Sequence, residues 1–204
     1  HTVTRRQRQM CIRDSSGMDV DISEPDVSPL QLQGPKSRDV LRAAFGDAPT
    51  ELKYYRFMEF DWDGVPLIIS RTGWSSELGY EIFLRDGTQG EKLWEHLMAV
   101  GGPLGLKPGH TSSIRRIEAG MLSYHADMTL ANNPYEMGMG RLVDLDMEAD
   151  FISKAALTLI KERGVSQQLV GLEIDGDPFV DSNDFFWPVL KEGVKVGSVT
   201  SAIY

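Results

Sequence analysis

Cysteine is almost missing from this chain of 204 residues, and the single one, Cys11, lies in a stretch that differs from everything after it. His1 to Ser15 carries Arg5, Arg6, Arg8 and Arg13 on an otherwise acidic chain, and it lacks the apolar centre of a secretion signal. The string Arg-Arg-Gln-Arg-Gln-Met-Cys-Ile-Arg-Asp-Ser reads as translated adaptor sequence, with an arginine-rich mitochondrial presequence as the alternative. Residues 1–16 are therefore set apart as a non-native extension, and the native start is expected to lie outside the chain. What remains has no thiol. Disulfides, thiolate catalysis and cysteine-ligated metals are excluded for it, and a cytoplasmic location fits.

Other absences narrow the class further. No apolar run approaches the ~20 residues of a membrane span. Twenty-one Lys and Arg against thirty Asp and Glu leave a net charge of −9, which argues against nucleic acid as a partner and tolerates a cationic substrate. The histidines, His1, His96, His110 and His125, are too scattered for a local metal site. His96 reads as a helix-surface residue and His110 as part of a Gly-rich loop; His125 reads as structural, with a pocket wall as the alternative. Nucleotide-binding glycine loops and the His-Glu-x-x-His zinc motif do not occur.

The elements that are present mix strands and helices without strict alternation, which implies α+β layers. Ser28–Gln33 reads as a strand, and after Gly34-Pro35 a helix buries Val40, Leu41, Ala44 and Phe45 and stops at Gly46. Tyr54–Trp62 and Val65–Ile69 form a hairpin over Asp63-Gly64. Thr88 and Glu91 have capping-box spacing for a helix to Val100, with Leu93, Trp94, Leu97 and Met98 as its buried stripe. A further helix places Ile114, Ile117 and Met121 inward, with Arg115, Arg116 and Glu118 between them. Tyr124–Gly140 has no period, and an irregular stretch of that length implies a role. A helix spans Ser153–Arg163. Strands over Leu169–Ile174, Phe186–Leu190 and Val194–Tyr204 follow, so a domain boundary is placed near Gly164. The last strand stops without a turn or cap and reads as cut.

The most informative stretch is Ser70–Leu84. Gly73 and Gly79 bracket a loop holding Trp74, and the strand after it sends Glu81 and Phe83 to one face and Tyr80, Ile82 and Leu84 to the other. A carboxylate beside an aromatic suits a flat heterocycle with N–H donors, and it equally suits an ordinary solvated face.

This stretch resembles the G-Y/W-[ST]-x-E-x-G-Y-E-I segment of the glycine-cleavage T-protein superfamily. Four further segments resemble it in the same order. They are Leu30–Pro35, then Gly105–Gly109 with Arg116–Met121, then Asp150–Leu157, and Gly197–Tyr204. Asn133-Pro134-Tyr135-Glu136-Met137-Gly138 after Leu122-Ser123-Tyr124 is most similar to the dimethylsulfoniopropionate demethylase branch. Where aminomethyltransferases carry an Ala-Ala-Arg-Asp-type run, this chain has His110-Thr111-Ser112-Ser113, with Ser112 in the place of the folate-contacting arginine.

The resemblance implies a layered folate-binding α+β domain over residues 17–164, N-terminally truncated, and the start of a C-terminal β-barrel over 165–204. It implies methyl transfer from dimethylsulfoniopropionate to N5 of tetrahydrofolate, with no metal. Glu81 is then expected to accept N–H bonds from the pterin edge, and Trp74 to pack near the folate or close the substrate pocket. Phe83 stands where some demethylases have Tyr. Tyr124, Tyr135 and Glu136 line the substrate pocket or, for the last two, anchor the loop. Catalytic residues are expected in the absent N-terminal segment, so the chain alone is expected to be inactive. The partner is a small methyl donor, with no nucleic acid and no membrane. The alternatives are an aminomethyltransferase, which would need a lipoyl carrier protein, another folate-dependent O- or N-demethylase, and a non-catalytic folate-binding protein. That last class has a Lys-Gly-Cys-Tyr-type motif where Ser153-Lys154-Ala155-Ala156 stands here.

Overall fold

The structure is a computed structural model, and it describes residues 27–110, 112–178 and 185–203 together with 17, 19, 25 and 183. The arginine-rich segment with Cys11, Thr111 and Tyr204 lie outside the described residues. The chain groups into two compact units. One runs to Gly73 and resumes over Glu77–Gly109; the other comprises Trp74–Ser76 and His110–Tyr204, and so includes Gly164.

The first unit is a four-stranded antiparallel sheet with helices on one face. Strands β1 (Ser28–Gln33), β2 (Phe57–Trp62), β3 (Val65–Ser70) and β4 (Gly79–Leu84) lie in the order β1-β4-β3-β2. The β2–β3 turn has positive φ at both Asp63 and Gly64, the geometry whose twist matches a hairpin, and Asp61 Oδ1 accepts the Gly64 N–H at 2.9 Å. Strand β2 starts three residues later than its sequence suggests. Tyr55 takes a left-handed φ of 60°, and Arg56 N–H bonds back to Lys53 O, so the chain turns before pairing begins.

Period-two alternation decides which side chains meet the helices. Leu32, Val65, Leu67, Ile69, Tyr80, Ile82 and Leu84 are buried, and Trp62 joins them from β2. Over them pack α1 (Ser37–Phe45), through Val40, Leu41 and Phe45, and α2 (Gly90–Gly101), through Leu93 and Leu97. Trp94 does not join this stripe; it is 44% exposed, and Leu93 and Leu97 are the buried apolar side chains of α2. The expected Thr88–Glu91 cap is also replaced. Asp86 accepts from both the N–H and the hydroxyl of Thr88, a 3-10 turn over Gly87–Gln89 follows, and α2 begins at Gly90.

His96 on α2 is more than a surface residue. A ring nitrogen sits 3.0 Å from Ala44 O, and the ring packs against Trp62 and Phe45.

The second unit contains α3 (Ser113–Glu118), α4 (Lys154–Arg163) and a hairpin of β5 (Trp187–Lys191) and β6 (Val194–Val199), turned over Glu192 and Gly193. Leu169–Ile174 is not a strand. Val170, Leu172 and Ile174 are each more than 60% exposed, and alternation without a partner strand makes no ladder. Among the described residues the C-terminal part holds these two strands, which do not amount to a barrel. Helix α3 is shorter than its apolar spacing suggests and turns the other way: Gly120, at φ 66°, ends it, Ile114 is 51% exposed, and Arg116 is its buried residue.

Candidate functional site

Glu81 and Phe83 lie on β4, between β1 and β3, on the face that the helices leave open. Register places Gln31 and Ser70 beside Glu81, and Pro29 and Ile68 beside Phe83. On β2 the same face presents Phe57, which is 67% exposed. Both Glu81 and Phe83 are half-buried.

The Glu81 carboxylate is not loose. Gln31 Nε2 donates to Oε1 at 3.2 Å, and the Thr72 hydroxyl donates to Oε2. Each oxygen has one protein donor and acceptor capacity to spare, since an ionised carboxylate offers about four lone-pair sites. A group that brings N–H donors to that edge finds acceptors already oriented, with the Phe83 ring one step along the same face.

The loop above this face owes its two glycines to one side chain. Gln33, at the end of β1, sends Nε2 to Thr72 O (3.5 Å) and Tyr80 O (3.3 Å), and its amide occupies the space that a Cβ on Gly73 or Gly79 would need. Gly34 N–H to Leu78 O and Ser37 Oγ to Leu78 O complete the attachment, both within 2.9 Å. The glycine spacing is visible in sequence, but its purpose is not. Nothing local marks Gln33 as the residue that the glycines make room for.

In the second unit, Trp74 is half-buried and the Arg116 guanidinium lies over its ring, 5.8 Å from the centroid. Arg116 is itself fixed. Nη1 donates to Asp127 Oδ2 at 2.8 Å and to Met121 O at 3.4 Å, and Nη2 donates to Ser201 Oγ at 2.9 Å. Asp127 in turn accepts from Ser123 N–H, Thr200 Oγ1 and Ser201 Oγ. Burial alone pushes the Asp127 carboxyl up; the bonds from Ser201, Ser123 and Thr200 and the Arg116 charge outweigh it and hold the group below its ordinary value. This network joins α3, the 123–127 turn and the segment after β6. The Arg116 partner lies eleven positions along the chain, a separation that no helical spacing reveals.

The three other sequence candidates lie in the irregular stretch of the same unit. Asn133 Oδ1 accepts the N–H groups of Tyr135 and Glu136, while Glu136 Oε2 accepts the Asn133 N–H and the Asn132 amide. The reciprocal pair is a capping box closing a turn rather than a helix. Tyr135 has a buried hydroxyl without a partner, and its ring fills the space above Gly140. Tyr124 is 48% exposed, and its ring lies tilted at 57° against that of His125, centroids 4.2 Å apart. Among the described residues there is no cluster of metal-ligating side chains, and no helix is long and apolar enough to cross a membrane.

Comparison with known proteins agrees with this frame. The family model described as the GCVT N-terminal domain matches residues 2–147, beginning inside the arginine-rich segment. The chain is 40% identical over 190 residues to the dimethylsulfoniopropionate demethylase of Ruegeria pomeroyi, covering 92% of this chain and 50% of that protein. It is 35% identical over 180 residues to an aminomethyltransferase of Bacillus cereus, covering 86% and 48%. The crystal structure of the glycine cleavage system aminomethyltransferase T from Bartonella henselae superposes with a TM-score of 0.70 at 22% identity. That superposition covers 97% of this chain and 53% of the other, and it is a likeness of fold. The chain thus spans about half the length of the curated relatives it matches. It belongs to the GCVT N-terminal domain family.

Proposed function

We propose that this chain is the folate-binding part of a tetrahydrofolate-dependent one-carbon transferase whose methyl donor is dimethylsulfoniopropionate. The observation that carries the reading is the Glu81 carboxylate, held by Gln31 and Thr72 on an open sheet face beside Phe83. The 40% identity to a dimethylsulfoniopropionate demethylase supports the donor.

Glu81 accepts N–H groups from the pterin edge, a charge-assisted contact worth roughly 1.5–3 kcal/mol. Phe83 covers part of the ring face; lacking a hydroxyl, it contributes area and no hydrogen bond. Tetrahydrofolate, when bound, would supply the secondary amine N5, which takes the methyl group and gives up its own proton to solvent, while the sulfonium would leave as a neutral thioether, methylmercaptopropionate. No covalent enzyme intermediate is needed. The protein's part is to orient the two reactants and exclude water, which supplies several powers of ten in rate. Tyr124, 48% exposed, is an aromatic ring open to a sulfonium cation, whereas the Trp74 ring already carries the Arg116 guanidinium.

Aminomethyl transfer within a glycine cleavage system is the second reading, favoured by the 35% identity to an aminomethyltransferase. Ser112 bears on it. In the structure its hydroxyl caps α3 by accepting the Arg115 N–H at 3.4 Å, a role that leaves this position no cation for folate.

Two assays test these readings. Calorimetry of the chain with tetrahydrofolate is expected to give a binding isotherm, and the absence of heat would remove the folate reading. A longer reading frame that contains this chain, given dimethylsulfoniopropionate and tetrahydrofolate, is expected to form methyltetrahydrofolate. Turnover only with glycine-cleavage components would replace the donor and bring in a lipoyl carrier protein.

A further inference from the structure

Thr72 lies just beyond β3, one residue before the first loop glycine, and the folate reading gives it no part. Its hydroxyl has two neighbours, Ser70 Oγ at 2.6 Å and Glu81 Oε2. A carboxylate only accepts, so the proton of Thr72 goes to Glu81. With that proton committed, Thr72 Oγ1 must accept from Ser70, and the direction of the relay is settled: Ser70 to Thr72 to Glu81. Ser70 is 7% exposed, so water competes little for its hydroxyl. Polarised chains of this kind strengthen each member.

The backbone that carries Thr72 is pinned as well. Gln33, whose strand packs into the core through Leu32, holds Thr72 O and Tyr80 O and fits against Gly73 and Gly79. The hydroxyl's place over β4 is therefore set by β1, although it belongs to a loop.

We propose that Thr72 is the positioning residue for Glu81, locking the carboxylate so that its remaining lone pairs meet the N–H edge of a flat heterocycle. A free glutamate on a half-buried face would have to be ordered at each binding event, and the relay removes that entropic cost beforehand. The ligand named rests on the folate reading; the locking of Glu81 does not.

The test uses the full chain with T72V, T72S and E81Q, each checked for an unchanged thermal midpoint. Carbon-13 glutamate spectra without ligand, with Glu81 assigned by its loss in E81Q, are expected to show one ordered Glu81 signal in the parent and in T72S. In T72V that signal should move to a conformationally averaged position. By calorimetry, T72V should weaken tetrahydrofolate about tenfold and T72S less than about threefold. Binding of p-aminobenzoylglutamate, which lacks the pterin, should not change. T72V added to E81Q should cost nothing further. A parental Glu81 signal in T72V overturns the proposal, and so does parental tetrahydrofolate affinity in T72V where E81Q has lost it. If E81Q keeps full affinity, the folate reading of this face falls, and the spectra still judge Thr72.

Discussion

Arg116 and Asp127, eleven positions apart, form a buried ion pair at 2.8 Å with both side chains less than 10% exposed. Neither ion is isolated: Ser201 accepts from one and donates to the other, and Ser123 N–H and Thr200 complete the carboxylate. Removing one partner leaves a charge in low dielectric with its donors or acceptors stranded. Arg116→Met is expected to cost about 3–5 kcal/mol, measured by urea unfolding. A loss under about 1 kcal/mol would mean that water replaces the guanidinium.

The same pair makes a pH prediction. Asp127's folded value lies below its ordinary one, so its contribution is complete above the unfolded value of about 3.9 and is lost as pH falls through the depressed folded value. Unfolding free energy of the parent should therefore drop more steeply below that pH than that of Asp127→Asn. Parallel pH profiles would show that the carboxylate is not linked to folding.

Gly79→Ala tests the Gln33 clamp. The new methyl group falls on the Gln33 amide, and the expected loss is about 1–3 kcal/mol in thermal or urea unfolding. Gln33→Ala in the same chain should recover much of it, a coupling that a double-mutant cycle reads directly. Additive losses would mean that the glycine serves backbone conformation alone.

Helix α2 separates burial from apolarity. Leu93 is fully buried and Trp94 is 44% exposed, one residue on. Leu93→Ala should cost about 2–5 kcal/mol, while Trp94→Ala should stay below about 1 kcal/mol. Comparable losses would put Trp94 in the core after all.

Glu81→Ala should abolish measurable tetrahydrofolate binding and leave the far-ultraviolet circular dichroism of the chain unchanged. Full retention of binding heat would remove Glu81 from the site.

Much of the first unit is legible in the sequence. The alternation of Tyr80, Ile82 and Leu84 against Glu81 and Phe83 is a local property of strand geometry, and burial follows it. The α1 stripe of Val40, Leu41 and Phe45 and the Asp63-Gly64 turn are local in the same sense. The second unit was less legible because its order comes from contacts distant in sequence. Apolar spacing placed Ile114 inside α3, and the structure instead buries Arg116, since a guanidinium with a carboxylate, a serine and a carbonyl to bind is satisfied in the interior.

By itself the sequence determined an α+β chain of the GCVT family, with a carboxylate and an aromatic on one face of a strand after a glycine-bracketed loop. Periodicity and turn chemistry are carried by neighbours within a few residues, so they can be read from the chain alone. Only the tertiary structure decided what holds that carboxylate. Gln31, Ser70, Thr72 and Gln33 reach Glu81 or its loop from two other strands and from the loop itself. A hydrogen bond depends on distance in space, and separations of nine to fifty residues leave no pattern along the chain.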